Sequence, residues 1–320
     1  RQRQMCIRDS NDGGYSATVS WGDYNNDGCI DLFVGNVNSQ DDFLYESNCD
    51  GTFTRITSGP VVNDGAFSSS SNWVDYDNDK DLDLFVANWD VDNGLYQNNG
   101  DRTFARILNS IIVTEGDVHD SSWADYDNDG DLDLFAGQRD DKQRLYQNNG
   151  DGTFSEVISG PVVEDSGSSS GVWGDYDNDG DLDLFVAVGD GRDNLLLRNE
   201  GNENHWINIK LVGCRLGQMR ACSGSNSSAI GARVILTAII GGATVEQIRE
   251  VSGQTGFLGQ NSLNVEFGLS DAAEIESIVV EWPSGVIQTR NHVAVDQFLT
   301  IREPGRCSTF LPIVGRNGRP

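Results

Sequence analysis

A segment of about fifty residues recurs four times in the first two thirds of the chain, and this constrains the fold more than any local propensity does. Trp21 to Phe33 returns as Trp73 to Phe85, Trp123 to Phe135 and Trp173 to Phe185, the tryptophans standing 52, 50 and 50 residues apart. Downstream, the pair Leu44-Tyr45 recurs as Leu95-Tyr96, Leu145-Tyr146 and Leu195-Leu196. A polar turn into Thr-Phe recurs at Asp50 to Phe53, Asp101 to Phe104 and Asp151 to Phe154. Each unit therefore reads as four short strands; in the third they are about Val118–Asp125, Leu132–Gly137, Gln143–Gln147 and Thr153–Ile158. Short strands separated by Gly/Asn/Asp turns at this period fit propeller blades better than a sandwich. Asp and Gly crowd every potential helix and no 3.6-residue apolar stripe appears, which excludes a helical repeat. The Trp and Phe markers read as packing between blades. The expected fold class is all-β: a partial β-propeller of about four four-stranded blades plus a C-terminal small β-sandwich.

Between the first two strands of each unit runs an acidic loop. Numbered from its first Asp, it carries side-chain oxygens at positions 1, 3, 5 and 9. Loop one has Asp23, Asn25, Asp27 and Asp31, and loop two has Asp75, Asp77, Asp79 and Asp83. Loop three has Asp125, Asp127, Asp129 and Asp133, and loop four has Asp175, Asp177, Asp179 and Asp183. Position 7 (Cys29, Asp81, Asp131, Asp181) is expected to add its backbone carbonyl, at Cys29 as elsewhere. Position 6 is Gly28, Gly130 and Gly180, suited to positive φ, but Lys80 in loop two. The loops hold 18 of the 50 acidic residues in 36 positions, and carboxylates so close repel strongly unless a cation lies among them. Hard oxygen donors without His or Cys select Ca²⁺ ahead of Mg²⁺ or Mn²⁺, and about four ions are expected. An EF-hand is rejected, because position 12 is Val34, Val86, Ala136 and Val186 where it needs a bidentate acid.

The nine-residue Asp-x-Asp-x-Asp-Gly-x-x-Asp loop between strands resembles the FG-GAP or VCBS repeat of integrin-α-type propellers, over roughly residues 14–200. The resemblance implies a Ca²⁺ held between two strands of each blade. It also implies seven blades as the usual number, so an incomplete propeller with an exposed edge is expected. Residues 1–13 match nothing that follows and read as a non-native or truncated leader, with the blades spanning 14–204. Lys80 puts the turn or affinity of loop two in question, and Asn25 lowers the charge of loop one.

Charge divides the chain. Residues 1–204 hold 41 acids and 12 bases (net −29), while 205–320 hold 9 acids and 10 bases (net +1). The second part offers seven strand candidates, His205–Leu211, Ala232–Ile240, Thr244–Val251, Ser262–Phe267, Ile275–Trp282, Val286–Thr289 and Gln297–Arg302, with Gly241-Gly242 as a hairpin turn. Gly231 to Val234, Arg249 to Val251, Gly253 to Gln260, Phe267 to Leu269 and Glu281 to Gly285 together resemble the ASPIC/UnbV domain, over about 205–303, with 304–320 as a tail. Such a domain typically follows VCBS repeats, as in cartilage acidic protein and secreted bacterial relatives. The match brings no reaction with it. Cys214 to Ser228 is an insert, and Leu258 to Gln260 departs from the family pattern.

A net charge of −28 without Lys/Arg clusters excludes a nucleic-acid partner, and no apolar run of about 18 residues could insert in a membrane. The six cysteines suit an oxidising compartment; Cys29–Cys49 and Cys214–Cys222 are the pairs suggested, with Cys6 and Cys307 unassigned. Of three histidines, His119 falls on an innermost strand, and no nucleophile pairs with it in the sequence. No catalytic residue and no organic cofactor is assigned. The function expected is a secreted or cell-surface calcium-binding scaffold for recognition of, or adhesion to, an extracellular protein or glycan. The alternative is an enzyme or biosynthetic accessory protein using the propeller face as a pocket.

Overall fold

The computed structural model describes residues 13–304 apart from 90, 115, 139–142, 165–168, 190, 215–224, 254 and 257–258. Blade one comprises β1 (Ser16–Gly22), β2 (Asp31–Asn36), β3 (Phe43–Ser47) and β4 (Phe53–Ile56). Blade two comprises β5 (Ser68–Val74), β6 (Asp83–Asn88), β7 (Gly94–Asn98) and β8 (Phe104–Ile107). Blade three comprises β9 (Val118–Ala124), β10 (Asp133–Gln138), β11 (Arg144–Asn148) and β12 (Phe154–Glu156). Each is an antiparallel meander in chain order, as the repeat markers predict. Blade four departs from the expectation. It shows three strands, β13 (Ser169–Gly174), β14 (Asp183–Val188) and β15 (Leu195–Leu197), and no polar turn into Thr-Phe follows Leu197 to start a fourth.

The markers do what packing demands. Phe33, Phe85 and Phe135 are fully buried between successive blades, and Tyr24 stacks on Trp73 as Tyr126 stacks on Trp173. The innermost strands follow one another around an arc, β1 beside β5, β5 beside β9 and β9 beside β13. Side chains here must be small, and hydroxyl pairs such as Ser70–Ser121 (2.9 Å) and Ser71–Ser20 (3.1 Å) tie the strands. The ends of the arc are open: Trp21 is 43% exposed against 5% for Trp173, and Leu196 is 55% exposed against 1% for Leu95. Short helical turns, Pro60–Val62, α1 (Ile111–Thr114) and α2 (Pro161–Glu164), precede blades two, three and four and bury Val61, Val62, Ile112 and Val113.

The remaining strands form two sheets. One is β19 (Val265–Ser270), β16 (His205–Val212) and β22 (Gln297–Arg302), with β16 and β22 parallel. The other is β18 (Ala243–Glu250), β17 (Arg233–Ile240), β20 (Ile275–Glu281) and β21 (Ile287–Val293). Their alternating inward residues share one apolar core that includes Ile209, Val234, Leu236, Phe267 and Ile278. Gly241 and Gly242, at φ 58° and 81°, make the two-residue turn between β17 and β18.

Cys29 is bonded to Cys49 with Cα atoms 5.5 Å apart, as proposed from the sequence. The register is tighter than a hairpin folded at Ser39-Gln40 requires: Leu32 faces Tyr45. Cys214 is disulfide-bonded, and Cys222, the partner expected for it, lies outside the described residues. His119 stacks on Trp89, in keeping with a packing role.

Candidate metal centre

Each acidic loop reverses the chain between the first two strands of its blade, using two left-handed residues. Position 4 is always Asn (Asn26, Asn78, Asn128, Asn178) at φ 56–63°, a conformation that Asn tolerates. Position 6 follows at φ 84°, 105° and 98° in Gly28, Gly130 and Gly180. Lys80 takes the same turn at φ 82°, at a cost of about 1 kcal/mol, so loop two keeps the backbone turn, but its Asp75 lacks the two N–H bonds that position 1 accepts in the other loops. The requirement at position 4 was missed in the sequence, although an invariant Asn across four copies was the signal.

The turn aims backbone N–H groups at the carboxylates. Asp23 accepts from Asp27 and Gly28 (3.0 and 2.8 Å), Asp125 from Asp129 and Gly130 (3.0 Å each), and Asp175 from Asp179 and Gly180 (3.2 and 3.0 Å). Position 5 turns to the position-7 amide: Asp27 to Cys29, Asp79 to Asp81, Asp129 to Asp131, and Asp179 to Asp181. In loops two, three and four the carboxylates of positions 1, 3 and 9 converge. Asp75, Asp77 and Asp83 offer oxygens within 4.8 Å of one another, as do Asp125, Asp127 and Asp133, and Asp175, Asp177 and Asp183. Position 5 lies outside these trios.

Loop one is different. Asn25 takes position 3, leaving Asp23 and Asp31 of the trio, while Asp27 lies beside the sulfurs of Cys29 and Cys49. Those sulfurs are joined to each other and cannot serve as thiolate ligands.

The trios can be tested for fit to a cation by their unsatisfied oxygens. In these trios both carboxylate oxygens of Asp75 and Oδ1 of Asp127 are shut off from solvent without a hydrogen-bond partner, as is Oδ2 of Asp31 in loop one. Buried carboxylate oxygens lacking a donor are costly, and a divalent ion held among the carboxylates of its loop would satisfy them. Without it, burial, reinforced by the neighbouring carboxylates, pushes Asp75 up to about 7, Asp125 to about 8 and Asp83 to about 9, and raises Asp133 well above the usual range. Desolvation likewise lifts Asp31 and Asp129 to about 7. These groups sit where ionisation is opposed, and a cation would reverse that.

Position 9 also locks the blade and its neighbour. Asp83, Asp133 and Asp183 accept the backbone N–H of Asn98, Asn148 and Asn199 at 2.7–2.9 Å. Those asparagines donate their side-chain amides at 2.7 Å to the carbonyls of Tyr24, Tyr76 and Tyr126, in the loop of the preceding blade. A second clamp runs from position 4 to position 7. Asn26 donates to Asp81 (2.6 Å), Asn78 to Asp131 (2.6 Å) and Asn128 to Asp181 (2.8 Å). Position 7, expected to act through its carbonyl, uses its side chain between blades. Its carboxylate crowds Gly100, Gly150 and Gly201, where a Cβ would come within 2.6, 2.6 and 2.0 Å of Oδ2.

The C-terminal sandwich docks on this loop face, which sequence reasoning did not anticipate. Gly268 N–H donates to Asp125 (2.9 Å), Ser270 N–H to the Asn128 carbonyl (2.9 Å) and Asp23 N–H to Glu250 (3.2 Å). Arg233 bonds Asn26 and the Lys80 carbonyl, Lys80 pairs with Glu246, and Trp206 packs against Gly180. Asn261 bridges blades three and four, donating to Trp123 O and accepting from Ser122 and Trp173.

Comparison with known families agrees with this geometry. The FG-GAP-like repeat family matches at residues 23–86, 75–136 and 125–186, together half of the chain, and the ASPIC and UnbV family matches at 222–307. Comparison with curated proteins finds no match. Repeats, loops and family matches coincide: the chain belongs to the FG-GAP-repeat proteins, with an ASPIC and UnbV domain after the blades.

Proposed function

We propose that this is a secreted calcium-binding propeller scaffold, with blades over 14–204 and an ASPIC/UnbV domain over 205–303, that recognises an extracellular protein or glycan and performs no catalysis. One observation carries the reading: the same three carboxylates converge in three successive blades, with position 9 fully or almost fully buried each time. All-oxygen donor sets favour Ca²⁺ over softer metals, and the position-7 carbonyls are candidates to complete the coordination. The Cys29–Cys49 disulfide supports an oxidising destination. Among the described residues no helix is long and apolar enough to cross a membrane. Recognition rests on the repeat architecture, which presents loops from a rigid frame.

The test is a calorimetric calcium titration of chelator-stripped protein. Saturable uptake of about four ions, in preference to Mg²⁺, is expected, with loop one the weakest site. Absence of uptake would remove the reading. Binding to an array of extracellular glycans, or pull-down of a specific extracellular protein, separates recognition from a purely architectural role.

A further inference from the structure

The sandwich does more than cover the loops: it places a charge among them. Arg249 stands near the end of β18, its guanidinium donating to the Ile248 carbonyl (2.9 Å), to Gln247 (3.3 Å) and, across to loop three, to the Gly130 carbonyl (3.5 Å), and lying over the Phe267 ring at 5.3 Å. Its Nε is shut off from solvent without a hydrogen-bond partner. With Asp75 and Asp125 it lines a cavity of about 150 Å³ between the blades and the sandwich. Asp75 belongs to loop two and Asp125 to loop three, so the guanidinium borders both loops; burial opposes its charge, while these carboxylates, with Asp131 and Asp133, favour it. Loops two, three and four each hold five acids, so the arginine is directed at two of the three most charged loops.

Other cations near the array are placed differently. Arg198 pairs with Asp177 and Asp179 of loop four, but it belongs to the blade itself and is half exposed. Arg233 is held by two neutral oxygens, and Lys80 is taken up by Glu246. Arg233 also comes from the sandwich, but Arg249 alone among these lines a cavity together with carboxylates of two loops.

We infer that Arg249 is a resident counter-cation, shared by loops two and three, that competes with the divalent ions and so couples their binding to docking of the C-terminal sandwich. The inference rests on the calcium reading above. Two positive charges in one carboxylate field lower each other's binding, and in a site with little solvent the effect is poorly screened by salt. The coupling is reciprocal: filled loops hold the arginine less firmly, and an undocked arginine leaves the loops more attractive to calcium.

Calorimetric calcium titrations of the full chain, as wild type, Arg249→Gln and Arg249→Lys, test this. Arg249→Gln should tighten two of the sites by at least ~5-fold, while Arg249→Lys, which keeps the charge, should stay within ~2-fold of wild type. In chelator, Arg249→Gln should melt below wild type, and saturating calcium should close the gap. Weaker or unchanged calcium binding in Arg249→Gln would overturn the inference, because loss of packing alone cannot tighten a site. Equal tightening in Arg249→Lys would also overturn it, by making shape the cause. A wild type that takes up no calcium would remove the calcium reading itself, and the inference with it, whereas uptake unaffected by Arg249 would remove only the inference.

Discussion

The two halves of the molecule are held together by different physics. Among its described residues the sandwich has one contiguous core of eighteen buried apolar residues, over a segment with almost no net charge. The blades have three separate apolar clusters, each between neighbouring blades, and between them run rows of buried Ser, Asn and Asp. Burial of apolar area suffices for the first. In the second, each buried carboxylate needs a partner, and the repeated network leaves both oxygens of Asp75 and one each of Asp31, Asp64 and Asp127 without one. A sheet array that concentrates −29 in 204 residues repels itself unless that charge is neutralised, a burden the sandwich does not carry.

That contrast can be broken most forcefully at position 9. Asp83→Asn with Asp133→Asn keeps an acceptor for the N–H of Asn98 and Asn148 but removes the charge. With two sites lost, at ~100-fold excess of calcium over Kd, the blades should lose about 5 kcal/mol of calcium-dependent stability. Differential scanning calorimetry should show the blade transition falling while that of the sandwich stays in place. Next in size, Cys49→Ser opens a loop closed across 20 residues and should cost blade one about 3 kcal/mol, read by guanidinium unfolding.

The pH response sharpens the same comparison. Asp31, Asp75, Asp83, Asp125 and Asp129 are lifted to between about 7 and about 9 without a cation. Groups raised in the folded state stabilise it fully below the ordinary carboxylate range, and that contribution is lost as pH rises through 7 to 9. In chelator the blade transition should therefore drop by roughly 5 °C or more from pH 5 to pH 9, as followed by circular dichroism. Saturating calcium, which needs ionised carboxylates, should abolish the decline. The smallest effect is expected from Asn128→Gly, which suits the left-handed backbone at φ 58° and deletes the amide bonded to Asp181. It should cost about 1 kcal/mol, seen as faster hydrogen exchange between blades three and four.

Much of this was legible in the sequence because it repeats. Trp, Phe and Asp at a period of 50 to 52 residues announced blades and loops, and the strands of the first three blades fell where the markers placed them. The inter-blade clamps were harder to read. The partner of Asn128 lies 53 residues away, in the next repeat, and a turn Asn looks the same whether or not its amide reaches across. Blade four's missing strand was present as an absence, the lack of a third marker after Leu197. Docking of the sandwich was not legible at all, because Arg249, Glu250 and Gly268 lie on ordinary alternating strands and acquire meaning only from the loops opposite. The same holds for Asp125, which looks like its three counterparts until Gly268 donates to it.

The proposed dependence of the blades on cations is tested most directly by melting the protein with calcium and with excess chelator at pH 7.4. Removal of calcium is expected to lower the blade transition by many degrees and leave the sandwich transition where it was. Superimposable melts in the two conditions would contradict it.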